Sequence, residues 1–184
     1  VEAYVSRIAS PFTEMQSLKA IDLILRHLPH AVETRSLDSL EQLSVASISA
    51  SMAFSNAGLG AVHALAHSLG GYFDMAHGNV HPTLLPAVMR FNLSHATEKL
   101  ATIGKVILNK RLGSDIETAQ GGIAKLEEFF ASFHVPHKLH QEIEEDEKHN
   151  LEQICKMAVN DACNLTNPRP ASSEELLEIC QEVW

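Results

Sequence analysis

Hydrophobic residues recur along the chain at spacings of three and four, which is the period of an α-helix, and no segment alternates as a strand would. This periodicity predicts helices over residues 14–28, 38–57, 59–69, 82–93, 96–109, 115–133, 138–162 and 173–183. Pro29 and Gly70-Gly71 are interpreted as helix ends, and the pair Ser172 and Glu175 as a capping box. We therefore expect one all-α domain of seven to nine helices over residues 1–184. A four-helix-bundle variant or a helical repeat fits the same pattern.

The predicted helix over residues 59–69 contains no Lys, Arg, Asp or Glu, which places it in the core. It nevertheless carries His63 and His67, four residues apart and so on one face. A buried ring nitrogen without a partner costs about 1–3 kcal/mol, and a metal, a proton relay or a ligand would supply that partner. We expect Gly70-Gly71 to turn the chain so that His77 reaches the same place, since imidazoles are common ligands of iron and zinc. Hydrogen-bonded core histidines are the alternative, and we place His81 at a loop or helix start.

Composition narrows the function classes. The formal net charge of −9 disfavours binding to nucleic acid, because an acidic protein repels phosphate. No apolar run reaches the roughly 18 residues of a membrane span, so we expect no membrane association. The odd number of cysteines, three, without a CxxC motif predicts reduced thiols in the cytoplasm.

Several motifs together resemble the C-terminal helical domain of the iron-containing alcohol dehydrogenases. They are the segments Val1–Ser6, Ala53–Gly60, His63-x-x-x-His67-x-Leu69-Gly70, His77-Gly78, Leu84–Asn92 and Asn167–Pro170. The resemblance covers essentially the whole chain. Because Val1–Tyr4 resembles the interior of a helix, we expect that the chain begins within a longer protein.

The resemblance implies an oxidoreductase that interconverts alcohols and aldehydes or ketones with NAD or NADP. His63 and His77 match two of the family's ligands for Fe²⁺, with Zn²⁺ as an alternative metal. His67 matches a histidine between the metal and the nicotinamide, where it would orient substrate or move a proton. Phe54 matches an aromatic at the substrate pocket, although core packing explains it equally well. The family's other ligands, an Asp and a His, would precede Val1, as would a nucleotide-binding half. We therefore expect this chain alone to be inactive and the complete enzyme to be a homo-oligomer.

Three departures from the family pattern leave other functions open. Ala76 and Ser68 stand where the family commonly has proline, and Asn79-Val80-His81-Pro82 differs from its usual run of small residues. In addition, Leu69-Gly70-Gly71 together with His81 resembles the maleylacetate reductases, which reduce without a metal. One alternative is therefore a metal-independent reductase. The others are a free-standing helical binding module without enzymatic activity, and a helical metal-binding protein with His63, His67 and His77 as its three ligands.

Overall fold

The structure, a computed structural model that describes residues 1–184, consists of eight α-helices and three short 3-10 helices, without a β-strand. The α-helices are α1 (Glu2–Val5), α2 (Pro11–Thr34), α3 (Leu37–Ala57), α4 (Ala61–Phe73), α5 (His77–Leu108), α6 (Asp115–Ala131), α7 (Leu151–Ala158) and α8 (Ser173–Glu182). The 3-10 helices cover Leu139–Gln141, Glu145–Asn150 and Ala162–Thr166. The predicted all-α fold with seven to nine helices is confirmed.

Two helical hairpins flank a central helix. Helices α2 and α3 pack on one another across a two-residue connection, and the second part of α5 packs on α6. Between them, α4 lies in the main core with the first part of α5, α7 and α8, and its Leu65 and Leu69 are completely buried. Burial on most sides fixes the orientation of α4, so its histidine-bearing face has a defined direction.

The helix boundaries next to the histidines differ from the predicted ones. Gly70 and Gly71 do not end α4, which continues to Phe73 and stops where Asp74 adopts a left-handed conformation with φ 54°. Packing of Phe73 against the core outweighs the cost of about 1 kcal/mol for each glycine in a helix. Helix α5 begins at His77 rather than at residue 82 and includes both predicted segments, with a break only at Ala96, where φ is −138°.

Two other predicted helices also change. Helix α2 continues through Pro29 to Thr34, because Pro29 is exposed and water can bond the carbonyl that its ring leaves free. Of residues 138–162, only Leu151–Ala158 is α-helical. In one continuous helix, Glu142 and Asp146 would repel one another at a spacing of four, as would Glu144 and Glu147 at a spacing of three, which disfavours such a helix. Taken singly, no helix has the length and apolar character of a membrane span; α3 and α4, bent by 101°, meet those criteria only as a pair.

Candidate metal centre

Four histidines meet where the face of α4 opposes the start of α5. The ring centroids of His63 and His77 lie 5.5 Å apart, and His81 lies 4.3 Å from each of them. His67 lies 5.7 Å from His77 in a stacked arrangement and 6.0 Å from His63. The structure therefore brings together the three imidazoles that the sequence singled out and adds His81 to them.

The first turn of α4 is held by side chains from distant segments. The buried Glu2 accepts a hydrogen bond from the Val62 amide (2.7 Å) through one carboxylate oxygen and contacts Nδ1 of His63 through the other. The Ala61 amide donates to Oδ1 of Asn167 (3.2 Å). Both acceptors satisfy amides that a helix N-terminus leaves unpaired. A Cβ atom at Gly60 would lie 2.7 Å from each of these two side chains, so only glycine fits there.

The contact with Glu2 determines which nitrogen of His63 is available. A carboxylate at this position accepts a hydrogen bond, so Nδ1 carries the proton and Nε2 keeps its lone pair. A carboxylate bonded to the outer nitrogen of a histidine is the usual support of a metal-binding imidazole. Glu2 therefore orients the His63 ring so that its Nε2 is available to a metal ion.

His67 has a different partner. Its Nδ1 lies 3.0 Å from Oδ2 of Asp161, while Oδ1 of Asp161 accepts from the Cys163 amide at 2.7 Å. Burial would raise the pKa of Asp161, but the hydrogen bonds from Cys163 and His67 outweigh it and lower that pKa. For the Cys163 thiol, burial first and the adjacent Asp161 second raise the pKa to about 12. The carboxylate thus stays charged and the thiol stays neutral.

His77 and His81 are four residues apart on the first turns of α5. Nδ1 of His81 lies 2.7 Å from the carbonyl oxygen of His77, whereas its Nε2 is buried without any hydrogen-bond partner. Burial and the neighbouring histidines lower the pKa of His81 to about 4, despite the hydrogen bond to the carbonyl of His77. Burial and repulsion from His63 and His67 lower the pKa of His77 as well. Both rings are therefore neutral near pH 7, the form in which imidazole binds metals.

An apolar cavity of about 300 Å³ adjoins the cluster. His63 and His81 border it on one side, and Phe54 from α3 borders it together with Ile24 and Leu85. Phe54 is partly exposed, at 39% of its surface, rather than packed within the core. The cavity is large enough for a small organic molecule and lies beside the imidazoles.

Part of this site was missed from the sequence. His81 was predicted at a loop or helix start. It lies near the start of α5, five residues in, and belongs to the cluster, which had not been predicted. Its signal was the spacing of four from His77, the same spacing as His63 and His67. Glu2 and Asp161 gave no such signal, since they contact histidines 61 and 94 positions away.

Comparisons with known proteins agree with this geometry. The family model "Fe-containing alcohol dehydrogenase family, C-terminal" matches residues 1–184. The 1,3-propanediol dehydrogenase of Klebsiella pneumoniae is 37% identical over 186 residues, which cover 100% of this chain and 48% of that protein. The NAD-dependent methanol dehydrogenase of Bacillus methanolicus is 32% identical over 181 residues, covering 97% of this chain and 47% of that protein. The chain thus spans about half the length of these relatives.

Solved structures show the same fold. A crystal structure of 1,3-propanediol oxidoreductase superposes with a TM-score of 0.94 at 34% identity, over 100% of this chain and 48% of that one. The maleylacetate reductase of Agrobacterium tumefaciens reaches 0.82 at 21% identity, over 100% of this chain and 48% of that one, which is a likeness of fold alone. Since the family model covers every residue and the first of these structures shares both fold and sequence, the chain belongs to the iron-containing alcohol dehydrogenase family, of which it is the C-terminal helical region.

Proposed function

We propose that this chain is the metal-binding half of an NAD(P)-dependent dehydrogenase that interconverts small alcohols with aldehydes or ketones. The observation that carries the proposal is the convergence of His63 and His77 beside an apolar cavity, with ring centroids 5.5 Å apart. Two relatives that share its sequence are dehydrogenases of 1,3-propanediol and of methanol. A short-chain alcohol fits the size and the apolar character of the cavity.

The donor set suits a divalent transition metal. His63 offers Nε2 because Glu2 occupies its Nδ1, and His77 is neutral near pH 7. Imidazole nitrogen accepts Fe²⁺ or Zn²⁺, which are the ions that we propose for His63 and His77. When bound, such an ion supplies Lewis-acid polarisation of the substrate oxygen, and a nicotinamide supplies or takes up the hydride.

The remaining side chains bind substrate and handle the proton. Phe54 and the aliphatic residues of the cavity would exclude water from the reacting carbon. With Nδ1 of His67 paired to Asp161, its Nε2 is free to accept a proton from an alcohol or return one to the alkoxide. His67 has 45% of its side chain exposed, and we propose that the nucleotide-binding half of the complete protein covers that side.

The proposal extends to the rest of the protein. The matched relatives are about twice as long as this chain, so we propose that a nucleotide-binding half completes the enzyme and that its cofactor is NAD or NADP. We further propose a homo-oligomer located in the cytoplasm, the latter on the ground of three cysteines that form no disulfide. The chain alone would hold the metal ligands but lack dehydrogenase activity.

A metal-independent reductase is the second candidate, and one observation favours it. His81 is neutral and borders the cavity beside His63, so its Nε2 rather than a metal could bind the substrate there, by accepting a hydrogen bond from an alcohol hydroxyl. The two candidates differ in what EDTA does. Chelation abolishes the activity of the metal enzyme and leaves that of the metal-independent reductase unchanged.

The experiment joins this chain to the nucleotide-binding half of the Klebsiella pneumoniae 1,3-propanediol dehydrogenase and follows nicotinamide absorbance with short-chain alcohols. We expect oxidation that EDTA abolishes and Fe²⁺ or Zn²⁺ restores. His77→Ala should abolish metal content and turnover together, whereas His67→Ala should retain the metal and lower kcat by about 100-fold, the usual contribution of a proton-transfer group. His140→Ala, an exposed histidine outside the cluster, is the control. A folded fusion that binds nicotinamide but no metal, in which His77→Ala changes nothing, would refute the proposal.

A further inference from the structure

His81 has one ring nitrogen for which the chain provides no hydrogen-bond partner. Its Nδ1 lies 2.7 Å from the carbonyl oxygen of His77, and a carbonyl only accepts, so Nδ1 carries the proton. Nε2 therefore holds a lone pair. That atom is buried and has no hydrogen-bond partner in the chain.

An unpaired buried nitrogen is costly, at about 1–3 kcal/mol, so its persistence needs a reason. The other two unpaired buried side-chain atoms, in Ser17 and Asn164, lie outside the histidine cluster. The ring of His81, in contrast, lies 4.3 Å from the rings of both His63 and His77.

Three ring nitrogens, one each from His63, His77 and His81, lie within 4.8 Å of one another. Nitrogens that share a tetrahedral ion at 2.0–2.1 Å are about 3.4 Å apart, so no pair has to approach by more than about 1.4 Å. His67 is outside this set and is grouped instead with Asp161 and Cys163. The sequence-based alternative with His67 as third ligand is thus not the arrangement that the structure favours.

We propose that His81 is a third metal ligand, so that this chain alone supplies a three-imidazole site for one divalent transition metal. The proposal rests on the proposed function, since it assigns a further residue to the same centre. Within this chain alone, three imidazoles leave at least one position of a tetrahedral ion open. The family resemblance assigned only two imidazoles of this chain, His63 and His77, to the metal, so His81 would be an additional ligand.

The test is a titration of the purified chain with Co²⁺, followed by its visible absorption and by calorimetry. Wild type should bind one equivalent. His81→Ala and His81→Asn should each lower the affinity by about 100-fold or more, since even partners of ligands contribute 10- to 100-fold. Asn can still donate to the carbonyl of His77, so the second variant retains the local structure if alanine destabilises α5. His140→Ala should bind as wild type does.

The outcomes separate this inference from the proposed function. If folded His81→Asn binds Co²⁺ as wild type does while His63→Ala and His77→Ala lose it, His81 is not a ligand and the metal centre stands. If wild type fails to bind Co²⁺ but a fusion with the nucleotide-binding half binds it, the three-imidazole site is refuted and the proposed function survives. If none of these substitutions changes Co²⁺ binding, both are refuted.

Discussion

Glu2 allows the sharpest test of how the site is organised, because both of its carboxylate oxygens are occupied. One accepts from the Val62 amide at 2.7 Å and the other contacts Nδ1 of His63. In Glu2→Gln, one of these oxygens becomes an NH₂ group, which only donates. If the remaining oxygen stays on the Val62 amide, the NH₂ faces Nδ1 of His63.

The consequence is a change of tautomer. Nδ1 of His63 would then have to accept, so the ring proton would move to Nε2, the nitrogen that we assign to the metal. A protonated Nε2 cannot bind an ion. Restoring the binding tautomer leaves an unpaired donor at a buried position, at a cost of about 1–3 kcal/mol. This cost corresponds to a 10- to 100-fold loss of metal affinity, the range known for such carboxylate partners.

The assay is a competition titration of Zn²⁺ against a chromophoric chelator, with circular dichroism to verify that each variant is folded. Asp161→Asn is the matched control, because it makes the same chemical change at a carboxylate that pairs with Nδ1 of a histidine, His67, that is not a proposed ligand. We expect a 10- to 100-fold loss for Glu2→Gln and less than a twofold change for Asp161→Asn. Equal effects in the two variants, or wild-type affinity in folded Glu2→Gln, would contradict the tautomer argument.

Three further predictions concern packing, capping and thiol reactivity. Gly122→Ala should lower the melting temperature by about 3–10 °C, because its Cβ would lie 2.5 Å from the Cα of the facing glycine in α5, whereas Gly121→Ala, which meets only the tips of two leucines, should leave it unchanged within about 2 °C. Asn167→Ala should lower the free energy of unfolding, measured by chemical denaturation, by about 2–4 kcal/mol, because it removes the acceptor of the Ala61 amide and the buried partner of Asn92. A loss below about 0.5 kcal/mol would count against that role of Asn167. Because the pKa of Cys163 is about 12, its thiolate fraction should rise about tenfold per pH unit from pH 8 to 11, and the rate of its alkylation, followed by mass spectrometry, should rise in proportion. Asp161→Asn removes a charge that raises this pKa, so it should speed the alkylation of Cys163 at pH 8.

The architecture was predictable because its signals are local. Apolar spacing placed α3 and α6 within a few residues of their observed bounds, and the capping box at Ser172 marked the start of α8 correctly. Errors arose where tertiary packing overrides a local rule. Gly70-Gly71 and Pro82 are helix breakers by propensity, yet both lie inside helices whose neighbouring side chains are buried in the main core.

The site was predictable only where two of its residues lie four apart on one helix and so share a face. His63 and His67 could be paired because they are four apart, but the carboxylates that orient them, Glu2 and Asp161, could not be found, because those contacts follow from the fold and not from spacing. His81 was missed for a related reason. Once residue 82 was taken as a helix start, the His77–His81 pair no longer lay on a helix, and its geometry could not be inferred.

The position of His81 also changes how its departure from the family pattern is interpreted. The sequence around His81 is similar to that of relatives that reduce without a metal. In the structure, its ring centroid lies 4.3 Å from those of both proposed ligands, and its Nε2 is unpaired. The two interpretations, a metal-independent reductase and a third metal ligand, differ in what the lone pair on Nε2 of His81 binds. In a metal enzyme in which His81 is a ligand, the lone pair binds the ion, so His81→Asn lowers metal affinity and activity together. In a metal-independent reductase it accepts a hydrogen bond from the hydroxyl group of the bound alcohol, so the same variant raises KM for that alcohol without altering metal content.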